Sequence, residues 1–169
     1  YENRKCKVYM LHGDLSDGQM RWLYQHDKVK CLVNIAHGEG FGLPMFEAAQ
    51  CALPVMTIGW SGQMDYLVQD DKEYFIKVDH NMSKIQEHAV WDGVLEADSR
   101  WAFAEQGSFK MQLRRVRKNF KKYKKQAVEL QKIINEKYTE EIMYQQFCDA
   151  LGFSEQADEL EMGEEVIIT

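Results

Sequence analysis

Residues 31–58, CLVNIAHGEGFGLPMFEAAQCALPVMTI, constrain the fold more than any other part of the chain. Residues 31–36 and 55–58 are short apolar runs with β-branched side chains and no strict alternation, which predicts strands buried on both faces. Between them lie Gly38, Gly40 and Gly42, followed by Leu43 and Pro44. The only two prolines of the sequence, Pro44 and Pro54, bracket the next segment. Pro44 suits the first turn of a helix, where a missing N–H costs nothing, and Pro54 forbids helix beyond Leu53. The predicted order is strand, glycine-rich turn, short helix, strand. Backbone amides after Gly40 then converge on a helix N-terminus, where free N–H groups and the helix dipole favour an anion. Glu39 lies inside that turn and Glu47 in the first turns of the helix.

The rest of the chain extends the pattern. Residues 6–11 (CKVYML) predict a first strand, and Ser16 with Gln19 reads as a capping box opening a helix to about Asp27. Residues 64–68 predict a helical turn and residues 74–78 a further strand. Strands alternating with short helices predict an α/β fold, a Rossmann-like parallel sheet flanked by helices with right-handed crossovers. Residues 79–107, with His80, His88, Trp91 and Trp101, read as irregular with some helix. From Ser108 the apolar positions 109, 113, 116, 120, 123, 127, 130 and 134 recur every three or four residues. That spacing predicts an amphipathic helix with one break, covering a sheet. Residues 138–151 predict another helix, with Ile142, Met143, Phe147 and Leu151 on one side. After Gly152 the chain is acidic and predicted to be poorly ordered. The expected organisation is therefore a Rossmann-like unit over residues 1–107, helices packing on it over 108–152, and an acidic tail over 153–169.

Composition narrows the functional classes. With 169 residues the chain suits one domain with a real core. The net charge of −6 is unevenly spread: residues 110–125 hold nine Lys or Arg and no acid, and nothing basic follows Lys137. The aromatic residues of the basic run fall on the apolar stripe, so it reads as a solvated helix face and not as a nucleic-acid platform. Cys6, Cys31, Cys51 and Cys148 form no C-x-x-C pair and lie at no metal-ligand spacing, which predicts free thiols in a reduced, cytoplasmic compartment. No apolar run is long enough to span a bilayer. The polar opening YENRKCKVY, without Met, reads as a trimmed piece of a longer protein.

The motif H-G-E-G-F-G-L-P-M-F-E-A, in which seven residues separate Glu39 from Glu47, resembles the E-x-x-x-x-x-x-x-E motif of retaining nucleotide-sugar glycosyltransferases of the glycogen-synthase-like and mannosyltransferase-like group. The flanks A-x-P-V at Ala52–Val55 and W-S-G-Q-M-D-Y-L at Trp60–Leu67 resemble the same family. The likeness is dense over residues 31–67 and extends over about residues 6–78. It implies the C-terminal, donor-binding half of a two-domain GT-B fold. Glu39 would accept hydrogen bonds from hydroxyls of the donor sugar, with His37 beside it in the catalytic group. Gly40, Phe41, Gly42 and Leu43 would offer backbone amides to the donor, and Glu47 would grip the nucleotide ribose. The resemblance implies no cofactor beyond the nucleotide diphosphate sugar itself and, with no D-x-D in the sequence, no metal. The partners implied are that donor and an N-terminal acceptor-binding domain not contained in these residues; association with a membrane surface stays open. The Arg–Lys pair that the family places early in this domain would lie further ahead of Glu39 than the 38 residues available here. The chain alone is therefore expected to be inactive.

Rival classes remain. A dinucleotide-dependent oxidoreductase is weakened because the third glycine comes one residue early for G-x-G-x-x-G, and no acid ends the following strand. A glycoside hydrolase would need Glu39 and Glu47 at a defined separation across a glycosidic bond. A non-catalytic nucleotide-binding or sugar-binding module fits the same motif.

Overall fold

The computed structural model describes residues 6–153. The chain is a mixed α/β protein with a small parallel sheet and six α-helices among the described residues. Helix α1 (Asp17–Gln25) precedes strand β1 (Leu32–Asn34), helix α2 (Leu43–Gln50) and strand β2 (Val55–Ile58). A short α3 (Met64–Leu67) leads into the small hairpin β3 (Val68–Gln69) and β4 (Lys72–Glu73), then β5 (Ile76–Val78). The hairpin β6 (His80–Lys84) and β7 (Arg100–Ala104) follows, then α4 (Gln106–Lys118), α5 (Phe120–Lys137) and α6 (Glu140–Ala150).

The central sheet has the order β1-β2-β5 and is wholly parallel, with Val33 opposite Met56 and Thr57 opposite Lys77. β2 lies in the middle, and all four of its residues are buried. Its side chains alternate between two cores. Val55 joins Met45, Ala48 and Ala49 of α2, Tyr66 and Leu67 of α3, and Leu130 and Ile134 of α5. Met56 and Ile58 join Ile76, Val78, Ala102 and Val116. A strand covered on both faces cannot alternate apolar with polar, which is why the run V-M-T-I carries no period of two.

Local chemistry explains most boundaries. Ser16 caps α1: its hydroxyl accepts the Gln19 N–H while the Gln19 side chain accepts the Ser16 N–H at 2.9 Å, as the capping box predicts. The long helical stripe breaks once, at Asn119, whose φ of −118° and ψ of 32° lie outside the helical region. Thr139 caps α6 through the Ile142 N–H. The basic residues between 110 and 125 are exposed, a solvated face as their charge pattern predicts.

Two expectations are corrected. Residues 6–11 form no strand: Val8, Tyr9, Met10 and Leu11 are exposed, Met10 at 89 %, and pair with no neighbour among the described residues. Strand propensity expresses itself only where an edge and an apolar face receive the segment, and here neither does. Residues 79–107 are irregular with a helical turn only between the arms of an antiparallel hairpin that the sequence reading missed, His80 opposite Ala104 and Lys84 opposite Arg100. The fifteen residues between its arms, with one 3₁₀ turn at Glu87–Ala89, separate the two strands in sequence and hide their pairing. The alternation in R-W-A-F-A was the available signal. The acidic segment 154–169, expected to be poorly ordered, lies outside the described residues.

Candidate functional site

The site begins where β1 stops. The Asn34 side chain turns the chain out of the strand by accepting the Ala36 N–H at 2.8 Å, and its amide group donates to Glu39 Oε1 at 2.7 Å. One residue thus ends the strand and aims the turn's carboxylate. The main chain of Glu39 is clasped by the loop that follows β2. Ser61 Oγ accepts the Glu39 N–H at 3.0 Å and donates to the Glu39 carbonyl at 2.7 Å, and the Gly62 N–H donates to that same carbonyl at 3.0 Å. Ser61 adopts a φ of +80°, the left-handed region unfavourable to a residue with a Cβ, so the clasp holds it against local preference. Gly62 is required sterically. A Cβ there would stand 1.8 Å from the Gly40 carbonyl oxygen.

The turn then enters α2. Gly42 has a φ of +82° and its carbonyl accepts the Met45 and Phe46 N–H groups and the Tyr66 hydroxyl at 2.9 Å. Burial, with the nearby Glu39 charge, raises the Tyr66 phenol well above its ordinary range, so it stays a neutral donor. Because the Gly42 carbonyl keeps two backbone donors when this hydroxyl is removed, Tyr66→Phe is expected to cost only about 1 kcal/mol of stability. A urea-unfolding midpoint measures it.

Along the same turn the N–H groups of Gly40, Phe41, Gly42 and Leu43 donate to no protein acceptor among the described residues. Pro44 has no N–H to add. Four consecutive amides without a protein acceptor at the start of a helix are donors suited to an anion.

His37 stands on the opposite flank. Its ring stacks on Trp101 at 4.9 Å and 9°, tilts against Phe103 at 4.5 Å, and brings Nδ1 to 2.8 Å from the Ala102 carbonyl. Glu47 is exposed on α2 and lines a polar groove of about 490 Å³ with Asp17, Arg21 and Tyr24 of α1 and Gln131 of α5. The Tyr24 hydroxyl approaches Glu47 Oε2 at 3.5 Å, and burial together with the Glu47 charge raises the Tyr24 pKa. Glu39, Gly40, Phe41, Gly42 and Leu43 are therefore gathered in one turn, His37 is held beside it by the hairpin, and Glu47 belongs to the α1–α2 groove. The partners that sequence reasoning missed are Asn34, Tyr66, Trp101 and the carbonyl of Ala102. Ser61 and Gly62, part of the W-S-G-Q-M-D-Y-L flank, are the clasp itself. Asn at a strand end before a glycine turn was the signal for the first, since its side chain readily bonds the backbone two residues on.

Cys31 lies in the apolar flank of β1, and burial pushes its thiol up to about 12. No protein-family model matches the chain, and no curated protein or solved structure matches it.

Proposed function

We propose that the chain is the donor-binding half of a retaining glycosyltransferase of the GT-B type, binding a nucleotide diphosphate sugar for transfer to an acceptor. The observation that carries this reading is the run of unpaired amides from Gly40 to Leu43 at the start of α2, next to a carboxylate fixed by Asn34. In this reading the amides hold the diphosphate. They stabilise the charge that develops on the leaving group as the sugar departs, and preorganised donors do this without reorganising during the reaction. The Glu39 carboxylate, with one oxygen on Asn34, accepts sugar hydroxyls. Glu47, whose carboxylate faces solvent beside the groove, accepts the ribose hydroxyls. The diphosphate charge is met without an ion, so the activity requires no metal.

The reaction needs donor and acceptor held together, and positioning supplies a large share of the barrier reduction. An acceptor-binding domain would complete the cleft in a longer, cytoplasmic protein. α6 supports such a partner. Its Phe147 and the Leu151 that caps it are exposed at 64 % and 58 %, a side with no partner among the described residues that a neighbouring domain would cover. Among the described residues no helix is long and apolar enough to cross a membrane.

Two variants separate the roles. Glu47→Gln is expected to weaken binding of both nucleoside diphosphate and nucleotide sugar by roughly 1–3 kcal/mol, the scale of charged hydrogen bonds. Glu39→Ala is expected to weaken the nucleotide sugar and spare the free nucleoside diphosphate. Calorimetric titration of both ligands reads the difference. Unchanged nucleoside diphosphate affinity in Glu47→Gln removes that residue from the ribose; equal losses for the two ligands in Glu39→Ala move it away from the sugar.

A further inference from the structure

The hairpin of β6 and β7 does two jobs with its two faces. Ala102, fully buried, points into the core with Met56, Ile58, Ile76, Val78 and Val116. Trp101 and Phe103, two residues apart on β7, hold the ring of His37. Side chains two apart on a strand share a face, so both aromatics meet the imidazole from one surface. The base of the hairpin is fixed as well: the Glu105 N–H donates to the Asp79 carbonyl at 2.8 Å, and the Asp79 N–H donates to Ser108 Oγ at 3.0 Å. The ring is therefore set by a rigid element joined to the core, not by its own loop.

The contact with Ala102 fixes more than orientation. A carbonyl oxygen can only accept, so the proton lies on Nδ1, and in the neutral imidazole Nε2 is then a bare acceptor. Nε2 makes no hydrogen bond to the protein among the described residues. A bare acceptor suits a ligand hydroxyl. It cannot donate to a phosphate oxygen, which itself only accepts.

We propose that the hairpin is a positioning element which locks His37 in its Nδ1–H form, so that Nε2 accepts a hydrogen bond from a hydroxyl of the bound sugar and makes no contact with the diphosphate. The sugar contact rests on the donor-binding reading above; the locked tautomer does not. Trp101 and Phe103 are positioning residues, acting on the ligand only through His37. Losing the stack lets the ring leave Ala102 and exchange its proton between the two nitrogens.

The test is long-range proton–nitrogen NMR of the His37 ring in the whole chain, at a pH where an ordinary imidazole is neutral. The free protein is expected to show the Nδ1–H form. A nucleotide diphosphate sugar is expected to move the Nε2 resonance, and the nucleoside diphosphate alone to leave it in place while still moving the amides of residues 40–43. Trp101→Leu is expected to mix the tautomers and Trp101→Phe to keep the Nδ1–H form. An Nε2–H form in the free wild type overturns the positioning role by itself, whatever the variants do. An equal Nε2 shift with the nucleoside diphosphate, or a ring protonated on both nitrogens in its presence, overturns the hydroxyl contact. An Nδ1–H ring in a protein whose turn amides respond to neither ligand overturns the donor reading together with the sugar contact, and the tautomer signal distinguishes that failure from failure of the hairpin.

Discussion

Gly62→Ala is expected to lower stability by about 1–3 kcal/mol, the usual range for forcing atoms into a packed site, and to abolish measurable binding at the turn. The added methyl would sit 1.8 Å from the Gly40 oxygen, 2.6 Å from its carbonyl carbon and 3.1 Å from the Glu39 oxygen. All three are backbone atoms, so no rotamer change relieves the clash. The loop 36–42 must move away from Ser61. That breaks the three hydrogen bonds holding the Glu39 main chain and scatters the amides of residues 40–43. Gly18→Ala is the matched control. Its Cβ meets nothing within 4 Å, and it lies in α1, where Ala gains roughly 0.5–1 kcal/mol over Gly. Thermal unfolding and nucleoside diphosphate titration on both variants check the pair. Wild-type stability and affinity in Gly62→Ala would mean that the two loops are not clasped.

Ile134→Ala is expected to cost about 2–5 kcal/mol, with the midpoint of chemical unfolding falling accordingly. Ile134 is completely buried, and with Leu130 it seals α5 against Met45, Ala48 and Ala49 of α2, beneath the helix that begins the site. The three carbon groups lost there (Cγ1, Cγ2 and Cδ1) leave a cavity that the surrounding sheet and helices relax into only partly. The same truncation at Phe147 of α6, which is mostly exposed, is expected to change stability by less than about 0.5 kcal/mol. Comparable losses at both positions would contradict the burial assigned to α5 and α6.

The parts of the fold that could be read from sequence are those written in local chemistry. Pro44, Pro54 and the glycines between the strands give α2, β2 and the place of β1, which is shorter than residues 31–36 and has Val33 exposed; the pair Ser16 and Gln19 gives the start of α1; the three-and-four spacing from Phe109 to Ile134 gives the helical run of α4 and α5 but not the position of the break at Asn119. What could not be read depends on distant partners. Residues 6–11 have strand composition, but nothing receives them. β6 and β7 pair across fifteen intervening residues, and only the alternation in R-W-A-F-A hinted at it. The same division runs through the site. The turn and its two glutamates are visible as a motif, because spacing alone places them. Asn34, Ser61, Gly62, Tyr66 and the Ala102 carbonyl act through contacts 5 to 65 residues away in sequence, and no periodicity announces them. The motif placed Glu47 on the helix but not in the α1–α2 groove, because that depends on how α1 packs against α2.

The most direct measurement is backbone-amide NMR of the whole chain titrated with a nucleoside diphosphate, with a chelator present and at two salt concentrations. The largest shifts are expected at Gly40, Phe41, Gly42 and Leu43, saturating together, unaltered by the chelator and persisting at the higher salt. Shifts confined to the exposed basic face between Lys110 and Lys125 and fading with salt, or a turn that responds only when a divalent metal is added, would contradict the claim that these amides hold the diphosphate.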